Sequence, residues 1–450
     1  MRDRLTAVCL LTVMAAQLVA LASGWDAPHW ASWAAMLAVV PLSWDRLGLR
    51  EGYLLTLCAV LSALLWWNGE PEGARVALDQ AAFLMAFILL IGLIQQAAMT
   101  SDAILRCGEY LTRQPPDRRY FAVFGGTHLM AQLFNLGVVS LLAPLIRRGT
   151  ERDGDLGPIR ERRQLSAMLQ GFAWGVIWSP TAVAPLVLMT LIPGTDRFAW
   201  IGVGLVIAAV VMLIGWAEDH WRWQSYAGVA RGMTPPALPR GAVLEFVAVA
   251  IALLALTLAA MEAFDQSVVS GLMAASPVLM LAWLLRQRAE GVDTASRLRE
   301  IALGHLPKAA PLAVTLACSG FVGRAAAALI PVAEWAEAAG VEAWPGWLFL
   351  LGLSVGVMVL SQLALSPIMM AVFFGSLIAG LPELPADKTW AALAISCGWA
   401  LSMTASPFAT VVLMTAGATG HSGREMTWQW NWLFTLLCVG ALAVFYVILA

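Results

Sequence analysis

Charge is scarce in this sequence of 450 residues: 12% are Asp, Glu, Lys or Arg, while 60% are apolar. A soluble chain of this length could not hide so much apolar surface in one core, which excludes a soluble enzyme and a nucleic-acid-binding protein. Lysine is nearly missing, with Lys308 and Lys388 alone against a background of arginine. With abundant alanine and tryptophan, that usage points to a GC-rich bacterial genome and so to a cell inner membrane. The six cysteines (Cys9, Cys58, Cys107, Cys318, Cys397 and Cys438) stand singly, without a CxxC or Cys/His pairing. Neither a disulfide framework nor a metal site is expected. The sequence also lacks a His/Glu metal set, a Ser/Lys or Asp/Asp pair at helical spacing, and a nucleotide loop. An intramembrane enzyme and a bound cofactor are therefore not expected.

What the sequence does have is apolar length. Its mean hydropathy is +0.76, and stretches able to cross roughly 30 Å of hydrocarbon recur from end to end. The expected class is an all-α polytopic membrane protein. Residues 1–78 read as N-terminal scaffold helices, with Thr6–Ser23 a retained helix, then His29–Leu47 and Glu51–Trp67. Residues 79–216 read as a first transport repeat: a crossing at Asp79–Met99, a re-entrant hairpin over 120–146, a broken helix over 164–192 and a crossing at Phe198–Trp216. A polar linker with Pro235, Pro236 and Pro239 follows at 217–243, expected on the membrane surface. Scaffold helices at 244–285 and a charged linker at 286–307 lead to a second repeat at 308–450. That repeat has a hairpin over 347–378 and a broken helix over 390–417.

Charge placement supports this layout. With the N-terminus cytoplasmic, only Arg75, Arg197 and Lys388 of the 27 basic residues face the far side, and Arg324 alone lies inside a helix. Short basic loops resist translocation, so the bias fixes the topology and puts the C-terminus outside. It also requires each hairpin segment to return to the side it entered. The first hairpin then opens to the cytoplasm and the second to the exterior, which makes the repeats inverted.

The repeats can be read directly. Gly171–Pro180 is GFAWGVIWSP and Gly398–Pro407 is GWALSMTASP. One constant offset carries Gly171 onto Gly398, Ser179 onto Ser406, Pro180 onto Pro407, Asn135 onto Gln362 and Leu136 onto Leu363. A duplicated membrane unit with a polar break in each copy is the pattern of a secondary transporter. Proline lacks an N–H and clashes with the preceding turn, so each Ser-Pro frees carbonyls in mid-membrane. Irregular backbone persists there only where protein or a watery cavity satisfies it. Freed carbonyls suit a cation and half-helix N-termini suit an anionic group. The alternative is a pair of plain proline kinks.

These motifs resemble the ion transporter superfamily, and within it the divalent anion/sodium symporters. Members carry inverted repeats with a Ser-Asn-Thr hairpin tip and a Gly-Thr-Pro-Pro-Asn-like broken helix. Phe134-Asn135-Leu136 and Ser361-Gln362-Leu363 stand where the tips should be, and Trp178-Ser179-Pro180-Thr181 and Ala405-Ser406-Pro407-Phe408 where the breaks should be. The departures are Gln362 for Asn, no Thr at either tip, Trp178 and Ala405 for glycine, and Ala182 and Ala409 for Asn. The resemblance implies an elevator-type carrier, coupled to sodium or protons, working as a homodimer in the lipid bilayer.

The expected substrate site is Asn135, Ser179, Thr181, Ser361, Gln362 and Ser406, with Arg324, Gln96 and Trp178. Asn135, Ser179, Gln362 and Ser406 double as candidate cation ligands. A guanidinium inside the bilayer costs on the order of 2.5–3.5 kcal/mol by insertion scales unless it is paired or hydrated. Arg324 would neutralise an anion, or else snorkel or hold neighbouring carbonyls. Gln95 and Gln96 fall opposite Val322 and Gly323 in the repeat and would add amide contacts, or join helices. His128 and Gln132 lie one turn apart on the first hairpin arm, to handle a proton or to pack. Trp174 and Trp178 would wall a pocket or fill a core; most of the 21 tryptophans belong to an interfacial belt. No acidic residue sits in mid-unit, which argues against a carboxylate proton relay and a strongly cationic substrate. The leading expectation is a secondary transporter of a small organic anion. The alternative is a noncatalytic membrane subunit of an export or envelope machine, built on a transporter fold.

Overall fold

The computed structural model describes residues 1–151, 156–179, 182–226, 236–381 and 383–450. Among these residues the elements are helical throughout, and ten helices are long and apolar enough to cross a membrane. The chain begins with α1 (Arg2–Ser23), α2 (Ala27–Leu42), α3 (Leu49–Trp67) and α4 (Pro71–Ala98). It continues with α5 (Asp102–Thr112), α6 (Pro116–Phe134), α7 (Gly137–Thr150), α8 (Gly157–Gly175), α9 (Val183–Leu191) and α10 (Arg197–Arg222). Then come α11 (Arg240–Phe264), α12 (Val268–Arg286), α13 (Thr294–Glu300) and α14 (Leu306–Leu329), the last entered through a π-helical turn at Ile301–His305. The chain ends with α15 (Val332–Ala338), α16 (Gly346–Leu360), α17 (Pro367–Gly380), α18 (Lys388–Ala405), α19 (Thr410–Thr419) and α20 (Trp432–Leu449).

Local chemistry sets many of these boundaries. Asp196 accepts from the backbone N–H groups of Phe198 and Ala199, Asp387 from Thr389, and Ser267 from Ser270, so α10, α18 and α12 start at side-chain caps. Prolines open α4, α6, α8, α14 and α17, where a missing N–H costs nothing. The amphipathic α5 and the short α13 and α15 lie in stretches with no helix expected from the sequence. Helix α10 continues into the expected linker as far as Arg222. Pro235, Arg231 and Arg152 lie outside the described residues.

The chain divides into two compact units, one of Met1–Ser101 with Ala248–Pro331, the other of Asp102–Val247 with Val332–Ala450. The expected repeat boundaries at 79 and 308 therefore do not coincide with the units, because α4 and α14 pack on each other within the first. Gly320 is the reason: an added Cβ would stand 2.8 Å from a Leu84 methyl carbon and 3.1 Å from the Gln80 carbonyl. Gly73 likewise sits opposite Ala328. Small residues bring the two backbones together where hydrocarbon offers no hydrophobic drive for helix association. The pairing is antiparallel, since residues early in α4 meet residues late in α14.

The second unit holds both hairpins and both breaks. Helices α6 and α7 form one hairpin; α16 and α17, joined by a 3₁₀ turn at Ser361–Leu363, form the other. The first arm of each packs on the broken helix of its own repeat, α6 on α8 and α16 on α18. The second arm of each packs on the other repeat, α7 against α19 and α17 against α9. The repeated glycines explain the first set of contacts. A Cβ on Gly171 would run into the Phe124 carbonyl, and one on Gly398 would lie 2.7 Å from the Ser354 carbonyl. Gly375 on α17 similarly faces Leu188 and Leu191 of α9, 3.2 and 3.1 Å from an added Cβ.

Candidate functional site

The four irregular points of the second unit are the two hairpin tips and the two helix breaks. At the first tip, α6 ends on Asn135 at φ 45°, ψ −128°, a backbone region that favours glycine. The chain reverses there within two residues: the Asn135 N–H donates to the Ala131 carbonyl at 2.9 Å, and Val138 N–H to the Asn135 carbonyl at 3.3 Å. The Asn135 side chain is half-buried and makes no hydrogen bond among the described residues. A strained backbone that holds up an unengaged amide is a common signature of a functional position.

The second tip is built differently. Ser361 and Gln362 lie in the 3₁₀ turn, and Ala364 takes the left-handed conformation at φ 62°, ψ 14°. Gln362 Nε2 donates to the Met358 carbonyl at 3.2 Å and approaches Ser361 Oγ at 3.4 Å. Its Oε1 accepts from Trp428 Nε1 at 3.2 Å, and Ser361 Oγ donates to the Met358 carbonyl at 2.6 Å. The break after α18 is fastened to this tip, because Ser406 Oγ donates to the Ser361 carbonyl at 2.7 Å. The same hydroxyl oxygen accepts from Phe408 N–H at 3.3 Å.

The first break separates α8 from α9. Ser179 is buried there, while Pro180 and Thr181 lie outside the described residues. Trp178 Nε1 donates to His128 Nε2 at 2.7 Å, and His128 Nδ1 lies 3.1 Å from the Gly171 carbonyl. A carbonyl can only accept, so Nδ1 carries the proton, and Nε2, receiving the indole N–H, must be bare. That fixes His128 as a neutral tautomer with both nitrogens occupied. Gln132 Nε2 donates to the His128 carbonyl at 2.8 Å. Packing is therefore the role the geometry gives His128. Trp174 is wholly buried core, while Trp178 remains half-buried beside the break.

Both half-helices beyond the breaks start without a side-chain cap, α9 after Ala182 and α19 after Ala409. First-turn N–H groups have no acceptor inside their own helix, and the helix dipole adds partial positive charge there. The breaks thus present donors at α9 and α19 and carbonyl ends at α8 and α18. The candidate side chains at the tips and breaks carry no formal charge: Asn135, Ser179, Ser361, Gln362, Ser406 and Trp178.

The structure brings Ser361, Gln362 and Ser406 into direct contact. No hydrogen bond joins Asn135 to that trio among the described residues. Arg324 and Gln96 belong to the first unit, and the expectation that they act together is corrected. The Gln96 carbonyl accepts from Arg297 Nη2 at 3.1 Å, whereas Arg324 shares a cleft with Gln80. Sixteen residues of α4 separate Gln80 from Gln96, about 24 Å at 1.5 Å per residue. Inverted repeats make residues equivalent, and antiparallel packing of α4 on α14 puts those equivalents at opposite ends. Missed by sequence reasoning are Trp428, which holds the second tip, and the polar chain from Tyr120 through Gln170 to Asn431. Its links are Tyr120 Oη to Gln170 Oε1 at 2.7 Å and Gln170 Nε2 to Asn431 Oδ1 at 2.9 Å. A buried amide one position before Gly171 was the available signal.

No protein-family model and no curated protein matches the chain. Solved structures do. The fold is similar to that of the YdaH transporter of Alcanivorax borkumensis, a protein described as having an unusual topology, with a TM-score of 0.58 and 14% identity. That match covers 89% of this chain and 98% of the other. It is also similar to MtrF of Neisseria gonorrhoeae, described as one of a class of antimetabolite efflux pumps. There the TM-score is 0.50 at 12% identity, over 81% of this chain and 80% of that one. At these identities the likeness establishes a shared fold.

Proposed function

We propose that this protein is a secondary active transporter that moves a small organic anion across the cell inner membrane, with its N-terminus in the cytoplasm. The observation that carries the reading is the collection of two hairpin tips and two uncapped helix breaks in one compact unit. Anion preference rests on the half-helices α9 and α19, whose first-turn N–H groups have no acceptor within their own helix and favour negative charge. It no longer draws on Arg324. Asn135 and Trp178 from the first repeat, and Ser361, Gln362 and Ser406 from the second, are the proposed substrate contacts, with Ser179 and Thr181 beside them. The carbonyl ends of α8 and α18 are the proposed place for a coupling ion, sodium or a proton. His128, neutral and doubly bonded, is not proposed as the proton carrier. The unit with both hairpins is proposed to move as an elevator against the other unit, in a homodimer. The fold shared with the YdaH transporter and MtrF supports transport; outward movement is one direction it allows.

The test is flux in proteoliposomes. Purified protein is reconstituted, loaded with a panel of radiolabelled organic acids, and given a sodium or a proton gradient. The expected result is gradient-driven movement of at least one acid, with a large loss in Asn135→Ala. If no acid moves under either gradient while the protein remains monodisperse and folded, the carrier reading fails. The noncatalytic-subunit reading then takes its place.

A further inference from the structure

The first unit contains a polar cleft of about 350 Å³, lined by Gln17, His29, Asp79, Gln80, Gln266 and Arg324 and by apolar side chains of α1 and α4. Some of its polar groups are committed and others are not. Asp79 Oδ1 is already engaged, 2.9 Å from His29 Nδ1 and 3.1 Å from Trp33 Nε1. Gln17 is also committed, donating to Ser32 Oγ at 3.1 Å. Arg324 Nε and Gln80 Nε2, by contrast, are buried donors without a hydrogen-bond partner. Among the described residues no carboxylate lies within 4.0 Å of the Arg324 guanidinium, and in the same cleft Asp79 Oδ1 already meets His29 and Trp33.

A buried donor left unpaired is costly, and here one of the two, Nε of the half-buried Arg324, belongs to a charged group. Such a group persists where something else meets it. The Gly320 contact presses α14 onto α4 and places Arg324 one turn further along, over the same stretch of α4 that carries Gln80. A planar fork beside a fixed amide N–H is matched to a two-oxygen anion. Ala20, Leu21, Val76 and Phe83 supply an apolar wall beyond it. The volume falls in the range of small-molecule sites.

We infer that this cleft is an anion-binding site, in which Arg324 and Gln80 hold the charged oxygens of an organic monoanion whose apolar body lies along α1 and α4. The charge is a carboxylate if the occupant is a free solute, or a phosphate diester if it is a lipid headgroup. The site does not depend on the proposed transport site, which uses none of these residues. Asp79 lines the same cleft and makes it selective: a second negative charge on the occupant would meet another acceptor, so dianions bind less well than monoanions.

The full chain is reconstituted in nanodiscs of pure phosphatidylcholine, and binding of radiolabelled phenylacetate is followed with the neutral phenylacetamide as competitor. Saturable binding that phenylacetamide does not displace is expected, lost at least tenfold in Arg324→Gln and partly kept in Arg324→Lys. Gln80→Leu removes one donor without uncovering a charge, should Arg324→Gln fold poorly, and is expected to weaken binding three- to tenfold. In a second arm, nanodiscs doped with phosphatidylglycerol are analysed by native mass spectrometry. A retained lipid that is lost in Gln80→Leu, and that blocks phenylacetate, assigns the site to a headgroup; unblocked phenylacetate assigns it to a free solute. Equal phenylacetate affinity in the wild type and Gln80→Leu, displacement by phenylacetamide, or no saturable binding of either anion would overturn the site and leave the cleft to water.

Discussion

The two hairpin tips descend from one repeated unit and end in opposite states. The first strains its backbone at Asn135 and leaves the amide unengaged; the second moves the unusual conformation to Ala364 and spends the Gln362 amide on Met358, Ser361 and Trp428. A side chain with its hydrogen bonds satisfied inside the protein gains little from a ligand, whereas an unengaged one gains the whole bond. Within the proposed carrier, the comparison puts recognition mainly at the first tip and closure mainly at the second. Ser406 fits the division, because its hydroxyl ties the second break to the second tip.

The comparison can be broken most severely at the glycines the repeats share. Gly171→Ala and Gly398→Ala should each cost about 3 kcal/mol through overpacking against a fixed carbonyl, read as lost folded yield and lower thermal stability. If one of them is tolerated, the two hairpins are not held alike and the tips should not be compared as equivalents. Next in size is Asn135. Asn135→Ala should reduce transport about tenfold to a hundredfold, the worth of one or two hydrogen bonds. Asn135→Gly should lose transport equally while raising thermal stability, since glycine accepts the positive φ without strain. Recovery of transport in Asn135→Gly would show that only the backbone matters.

Smaller effects belong to the second tip. Gln362→Leu and Trp428→Phe should each lower transport only about threefold to tenfold, with the pair together no worse than either alone, as expected for partners in one hydrogen bond. Additive losses would mean that Gln362 meets the substrate independently. The smallest expected effect is none. With both ring nitrogens of His128 occupied, the pH profile of transport between about pH 5.5 and 8, where an unperturbed histidine titrates, should be the same in wild type and His128→Gln. A step that vanishes in the variant would return the proton-handling role to His128.

Much of this architecture is legible in the sequence because membrane-depth breaks need particular residues. Ser-Pro at one offset, and Asn or Gln at the same offset before it, announce broken helices and tips without any contact information. The all-α polytopic class follows from composition. What the sequence could not show is adjacency. Gln96 was set beside Arg324 by repeat equivalence, and antiparallel packing sends it to the Arg297 end of α4. Nor do repeat boundaries give the compact units: α4 and α14 each open a repeat in the sequence reading but pack on each other through Gly320 and Gly73. Nor could spacing reveal that His128 is locked by an indole N–H from the break after α8. Those facts depend on which faces meet, and an apolar helix that is buried on most sides carries no periodicity to say so.

The glycine contacts also bear on how solute could enter. An arm whose Phe124 or Ser354 carbonyl lies against a glycine of the broken helix has little room to swing, which disfavours either hairpin as a hinged flap. Each second arm is braced by a half-helix of the opposite repeat, which removes the remaining lever. The parts left to give way are the short reversals at Asn135–Leu136 and Ser361–Ala364. In the proposed carrier, admission through this unit would be a matter of unzipping a few hydrogen bonds at a tip, a doorway opened by its latch and not by its door.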